Sequence, residues 1–215
     1  MARMKFLCDS ERCIECNGCV TACKQEHEVP WGVNRRRVVT MNDGVAGAEK
    51  SLSVACMHCT DAPCMAVCPV DCFYTTSEGV VLHDKDPCIG CGYCFYACPF
   101  GAPQFPQDGA FGMRGKMDKC TFCAGGPEAD NSAEEFQKYG RNRLSEGKLP
   151  ACAEMCSTKA LLGGDADEVS NIFRDRVMNR DGKGAGVFGW ATAYGKGDAK
   201  PSAQEKVTPK VEAKP

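Results

Sequence analysis

Cysteine is the residue whose number and spacing could do chemistry in this sequence: eighteen thiols occur in 215 residues, and almost all fall in four groups. The first is Cys13-x2-Cys16-x2-Cys19-x3-Cys23. The second, Cys56-x2-Cys59-x4-Cys64-x3-Cys68, has two extra residues before its third cysteine and is followed by Pro69. The third, Cys88-x2-Cys91-x2-Cys94-x3-Cys98, is followed by Pro99. The fourth is split, with Cys120-x2-Cys123, then twenty-eight residues, then Cys152-x3-Cys156. Disulfides are the ordinary reading of a cysteine-rich chain, but bridges between thiols two or three residues apart close small strained loops and add little stability. Thiolates that converge on metal need this crowding.

An iron-sulfur cube has four irons, each with one place for an outside ligand, and thiolate is the soft anionic donor suited to iron already bonded to sulfide. Three cysteines at x2 spacing wrap one cube, and in two-cluster ferredoxins the fourth, three residues on, ligates the other cube. Proline after that cysteine sets the chain's exit through its locked φ and missing N–H. Gly18, Gly90 and Gly92 remove Cβ atoms where the loop backbone must approach the cube. Two groups make one two-cluster unit, so four groups predict two units and four 4Fe-4S clusters held by sixteen of the cysteines, with Cys8 and Cys72 left over. Those two read as buried, inert thiols. His27, His58 and His83 read as packing or surface residues, because the cysteines already supply every iron.

Competing chemistries fit less well. Structural zinc uses two C-x2-C pairs across a longer loop, not runs of four followed by proline. A radical enzyme needs a C-x3-C-x2-C triplet, and no x3 pair here continues that way, so no catalytic residue is assigned. Gly184-Ala185-Gly186-Val187-Phe188-Gly189 matches the dinucleotide fingerprint, but no strand precedes it and no strand-helix-strand unit can follow it; it reads as a mobile glycine-rich turn.

The elements that position the cysteines are short, and the expected class is α+β. Strand-like runs lead into or out of the cysteine loops at Met4 to Cys8, Ser51 to Cys56, Val80 to His83 and Ala160 to Leu162. A helix is expected late, capped by Asp165 or Asp167, with Val169, Ile172, Phe173 and Val177 on its apolar face. The segment from Ala124 to Ala151 reads as an insertion loop with one short helix. The last twenty residues, from Lys196, are rich in Lys, Pro, Ala and Glu; composition makes this tail disordered, with ordering along a partner as the alternative. Formal charge is -2 with acids and bases nearly balanced, which excludes an obvious nucleic-acid binder. Arg35-Arg36-Arg37 reads as a solvated surface patch, with a partner contact as the alternative. The N-terminus lacks a signal-peptide run, and no stretch approaches the roughly 18 apolar residues of a membrane helix, so the chain reads as soluble.

From about Phe6 to Gly164 the four groups, with the fourth split, resemble the iron-sulfur electron-transfer subunits of molybdopterin oxidoreductases. Cys13-Ile14-Glu15-Cys16-Asn17-Gly18-Cys19, Cys88-Ile89-Gly90-Cys91-Gly92-Tyr93-Cys94 and Pro150-Ala151-Cys152-Ala153-Glu154-Met155-Cys156 are similar to formate dehydrogenase beta subunits. The resemblance implies two ferredoxin-like units, the first group pairing with the fourth and the second with the third. Units of 1–48 with 116–165 and of 49–115 are then expected, followed by a C-terminal helix and tail in 166–215. With the fourth cysteine of each run crossing to the partner cube, the ligand sets become Cys13, Cys16, Cys19 and Cys156; Cys120, Cys123, Cys152 and Cys23; Cys56, Cys59, Cys64 and Cys98; and Cys88, Cys91, Cys94 and Cys68. Lys24 and Ser157 stand where proline would follow the fourth cysteine, and both departures fall in the same implied unit. The resemblance also implies a molybdenum or tungsten pterin catalytic partner and a downstream acceptor such as a membrane cytochrome b. Location is open between the cytoplasm and the periplasm, the latter reached by co-export with the partner. Other molybdopterin oxidoreductases share the cysteine pattern, and a free multi-cluster ferredoxin is the competing class.

Overall fold

The computed structural model describes residues 3–46, 48–107, 115–127 and 132–179. The glycine-rich turn at 184–189 and the tail from Lys196 lie outside them. Regular structure is sparse: β1 (Met4–Cys8), α1 (Gly18–Glu26), β2 (Arg36–Met41), β3 (Lys50–Ala55), α2 (Pro63–Ala66), β4 (Phe73–Thr75), β5 (Val81–His83), α3 (Tyr93–Ala97), α4 (Ala133–Tyr139), α5 (Ala151–Glu154), β6 (Leu161–Asp165) and α6 (Ala166–Met178). The strands form three antiparallel pairs, β1 with β6, β2 with β3, and β4 with β5. This is a small α+β architecture, as the sequence pattern implies.

The β1–β6 pair sets Met4 opposite Asp165 and Cys8 opposite Leu161, so the start of the chain closes on a segment more than 150 residues away. All five residues of β6 are buried. The β2–β3 hairpin sets Arg36 opposite Ala55 and Thr40 opposite Ser51, and its inner face alternates with the two-residue period of a strand: Ser51, Ser53 and Ala55 are buried. This hairpin spans the boundary near residue 48 expected from the sequence.

Expected and observed strands coincide at β1 and overlap at β3, β5 and β6; β2 and β4 carry no expectation. In β2 the arginine run hides a strand whose β-branched Val38, Val39 and Thr40 were its signal. The expected solvated patch is overturned there: Arg35 is 4% exposed and Arg36 2%. Only Arg37 of the three reaches the surface. The late helix is α6, and of the two candidate caps the structure uses Asp165, whose carboxylate accepts from the N–H groups of Asp167 and Glu168 at 2.9 and 3.2 Å. The insertion carries the one expected helix, α4, capped by Ser132.

Buried charge joins the parts. The guanidinium of Arg35 donates through Nε and Nη2 to both oxygens of Asp118, and Lys85 Nζ donates to Asp118 Oδ2 at 2.7 Å. Tyr139, at the end of α4, accepts at its hydroxyl from Lys85 N–H at 2.6 Å and donates to Asp84 at 3.1 Å. The flanking cations hold the Asp118 carboxyl well below the ordinary carboxylate range despite its burial. A carboxylate with a depressed pKa contributes stability that is fully present above about pH 4 and is lost only as pH falls below that range. Asp118→Ala leaves Arg35 buried without its counter-charge, which costs about 3–5 kcal/mol. The expected outcome is a lowered denaturant midpoint in anaerobic unfolding; a midpoint within experimental error of the parent chain would refute the role of this pair.

Candidate metal centres

Each cysteine loop repeats one backbone device. The residue before the second cysteine has a left-handed φ in all four groups: Glu15 at 56°, His58 at 46°, Gly90 at 68° and Phe122 at 58°. Side chains other than glycine rarely adopt this region, so three of the four positions carry strain that the surrounding structure must hold. The turn directs backbone N–H groups at sulfur. Phe122 N–H meets Cys120 Sγ at 3.4 Å, and the same donor position in the first loop, Glu15, bonds Cys13. The first and third loops match further, since Asn17 and Gly92 are both left-handed and each caps the helix that carries the third cysteine. In the second and fourth groups, α2 and α5 carry Cys64 and Cys152 in the same way.

Tertiary structure brings the groups together across the sequence. Cys13 feels the charges of Cys19 and Cys156, while Cys23 feels those of Cys120 and Cys152. Cys59 and Cys64 each feel Cys56 and Cys98. Cys94 feels Cys88 and Cys91, and Cys68 lies beside Cys72, which also feels Cys88 and Cys94. One pocket has Cys56, Cys59, Cys64 and Cys98 together in its wall, with Lys119 beside them. Burial pushes Cys94 up to about 12 and Cys120 to about 11, so these two surrender protons when metal takes them as thiolates. The donors fit an iron-sulfur cube: soft thiols, enclosed surroundings and N–H groups directed at sulfur, including Ala102 to Cys98 at 3.5 Å, Met117 to Cys88 at 3.4 Å and Leu161 to Cys156 at 3.4 Å. Among the described residues no three His, Cys, Asp or Glu side chains converge as ligands of one ion. Thiolates on a cube meet four different irons and lie spread around it.

A family model described as a 4Fe-4S dicluster domain matches residues 48–166. The chain is 65% identical over 194 residues to the formate dehydrogenase iron-sulfur subunit of Wolinella succinogenes, covering 90% of this chain and 97% of that protein. It is 38% identical to the thiosulfate reductase electron transfer subunit of Salmonella typhi, covering 76% of each. It is 34% identical to a subunit of the anaerobic dimethyl sulfoxide reductase of Escherichia coli, covering 76% of this chain and 74% of that protein. The chain belongs to the 4Fe-4S dicluster family of iron-sulfur subunits. Its cofactors are 4Fe-4S clusters, and its work is electron transfer.

In this 4Fe-4S subunit the three histidines are all buried, and burial lowers each pKa, that of His27 to about 3. They are therefore neutral. His27 Nε2 lies 3.1 Å from Cys123 Sγ, which makes it a sulfur partner that cysteine counting had no means to find. Also missed from the sequence were the buried cations. Lys119 is 0% exposed and donates to the carbonyls of Val81 and Cys120, and Arg36 lies among the thiols of the first and fourth groups.

The two surplus thiols sit close to the sites. Cys8 accepts from Ser53 N–H at 3.3 Å and is pushed up to about 12, chiefly by burial. Cys72 lies 3.4 Å from Cys68 and is also pushed up, chiefly by burial and then by that contact. A protonated thiol donating to Cys68 suits an accessory role better than a ligand. Cys72→Ala is expected to retain the parent iron content and visible absorbance in anaerobic preparations; loss of about four irons per chain would make it a ligand.

Proposed function

We propose that this chain relays electrons through four 4Fe-4S clusters between a molybdopterin-bearing formate dehydrogenase catalytic subunit and a downstream acceptor. The observation that carries this reading is the 65% identity to a formate dehydrogenase iron-sulfur subunit over nearly the full length of both proteins. Identity to the thiosulfate and dimethyl sulfoxide relatives is about half that. When bound, each cluster supplies a one-electron carrier of tunable potential.

The protein's part is to hold and order the sites. We assign Cys13, Cys16, Cys19 and Cys156 to one cube, and Cys23, Cys120, Cys123 and Cys152 to a second. Cys56, Cys59, Cys64 and Cys98 belong to a third, and Cys68, Cys88, Cys91 and Cys94 to a fourth. Support comes from the neighbours of the crossing cysteines: Cys156 acts on Cys13, Cys98 on Cys59, and Cys120 and Cys152 on Cys23. Three electrostatic influences between sets favour a linear order. Cys19 acts on Cys152, Cys56 on Cys120, and Cys64 on Cys94, which strings the cubes in the sequence just given. A discontinuous unit of 1–48 with 116–165, enclosing a second unit of 49–115, accords with the pairing of β1 to β6. Among the described residues no helix is long and apolar enough to cross a membrane. The downstream acceptor in this reading is a partner such as a membrane cytochrome b.

Anaerobic purification through a tag on this chain tests the reading. The expected product contains a molybdopterin partner, about sixteen iron and sixteen sulfide per copy of this chain, and clusters that formate reduces only in the partner's presence. About eight iron, stoichiometric zinc, or reduction of the isolated chain by formate would overturn it. A partner that turns over thiosulfate or a sulfoxide but not formate would reassign the substrate alone. Cys98→Ser is expected to perturb the same electron paramagnetic resonance signal as Cys59→Ser, and a match with Cys91→Ser instead would refute the crossed assignment.

A further inference from the structure

We propose that Arg36 sets the reduction potential of the cluster held by Cys23, Cys120, Cys123 and Cys152, keeping it higher than the same buried ligand set would have without this charge. The inference rests on the ligand assignment above.

Arg35 and Arg36 are adjacent, buried and cationic, yet their surroundings differ in kind. Arg35 has a carboxylate on its guanidinium, with Asp118 accepting two hydrogen bonds. Among the described residues no carboxylate forms an ion pair with Arg36. Its Nη1 donates to Ser53 Oγ at 3.0 Å, while Nε and Nη2 are buried without a partner at ordinary hydrogen-bond geometry. Its Cζ lies 4.3 Å from the centre of the Phe6 ring, which packs on Phe122 with centroids 4.2 Å apart. A guanidinium in an apolar enclosure with two idle nitrogens is costly unless something anionic stands close by.

What stands close by is sulfur. The charges that act on Arg36 are those of Cys152, Cys120, Cys23 and Cys19, in that order. Three belong to one assigned set and the last to its neighbour. In return Arg36 is the largest influence lowering the pKa of Cys120 and of Cys152. The second set stands beside this cation through Phe122, whose N–H meets Cys120 Sγ at 3.4 Å and whose ring packs on the Phe6 ring under the guanidinium, while Ser53, which accepts from Arg36, contacts Cys19 Sγ of the neighbouring set at 3.2 Å. The strand register delivers this geometry: Arg36 pairs with Ala55, and Ser53 stands two residues along on the same buried face.

A cube held by four thiolates is anionic and gains a further negative charge on reduction, so a fixed cation nearby favours the reduced form. Low dielectric strengthens that preference and limits screening by salt. Lys119 is a weaker candidate for the same task at this cluster, since its ammonium is engaged by the carbonyls of Val81 and Cys120. Arg36 cannot lose its proton, so its influence is constant with pH. Its place at the second station, between the set containing Cys19 and the set containing Cys56, makes it a control on the step that carries electrons from one half of the chain to the other.

The test is a redox titration followed by electron paramagnetic resonance on the whole complex, with Arg36→Met, which removes the charge, and Arg36→Lys, which keeps it. The signal of the second cluster is identified by its alteration in Cys120→Ser. With full iron content, Arg36→Met is expected to lower the reduction equilibrium constant of that cluster at least tenfold, a shift of about 59 mV to more negative potential for a one-electron couple. The cluster assigned to Cys68, Cys88, Cys91 and Cys94 moves least, and Arg36→Lys restores most of the change. Unchanged potentials in fully loaded Arg36→Met, or an equal shift in Arg36→Lys, would overturn the inference. Should Arg36→Met load iron incompletely, Arg36→Gln carries the same thresholds, since it retains a donor toward Ser53 without the charge. An iron shortfall in the parent complex would instead sink the ligand assignment.

Discussion

Buried thiolates repel one another, and a chain that packs many of them into a small volume needs compensating positive charge and metal more than it needs a large apolar core. That constraint runs through this structure. The core clusters are built as much from cysteine as from aliphatic side chains: Cys64, Cys72 and Cys94 pack with Phe73 and Val81, and Cys19 and Cys152 with Leu161. Into the same volume the fold brings Arg35, Arg36 and Lys119, side chains that are almost never fully buried unless something pairs with them. Their partners differ, a carboxylate for Arg35, backbone carbonyls for Lys119 and the Ser53 hydroxyl for Arg36.

Sparse secondary structure follows from the same source. Helices of four or five residues and two-stranded sheets are marginal by themselves. Here they serve as mounts. Each loop turns through a left-handed residue, in the first and fourth groups a backbone N–H there meets sulfur, and the third cysteine of every group lies on a helix. Glycine performs that turn without strain in the third group, whereas Glu15, His58 and Phe122 perform it in the others. Phe122 shows why the strain is tolerated: its ring is 0% exposed, stacked on Phe6 and met edge-on by His58, so leaving the left-handed region would empty the centre of a cluster that includes Met4, Val80 and Leu82.

The insertion shows how a connection with no cysteine of its own contributes. Its helix α4 ends at Tyr139, whose hydroxyl bridges Asp84 and the backbone of Lys85, while Lys138 pairs with Asp86 at 2.8 Å. Gly140, with φ of 82°, then brings the backbone against His27, where a Cβ would collide with the ring that contacts Cys123. The segment between the two parts of the fourth cysteine group thus braces the loop at residues 84–86 on one side and a sulfur partner on the other.

The cysteine spacing by itself determined the kind of metal chemistry and the class of fold, because ligand geometry at a cube imposes local constraints that are written as short intervals in the chain. Capping was equally local, and Asp165 and the face of α6 were legible for that reason. What only the tertiary structure decided was everything that depends on distant parts meeting. Which thiols share a neighbourhood, the left-handed turn at residues as unlike as Glu15 and Phe122, and the contact of His27 with Cys123 are not encoded in any interval. The arginine run makes the point most directly. In sequence, three consecutive cations are a solvated surface. In the fold, Arg36 takes an inward position at the start of β2, and Arg35, just before the strand, turns to a carboxylate that the chain brings from more than eighty residues away, so both lie in the interior.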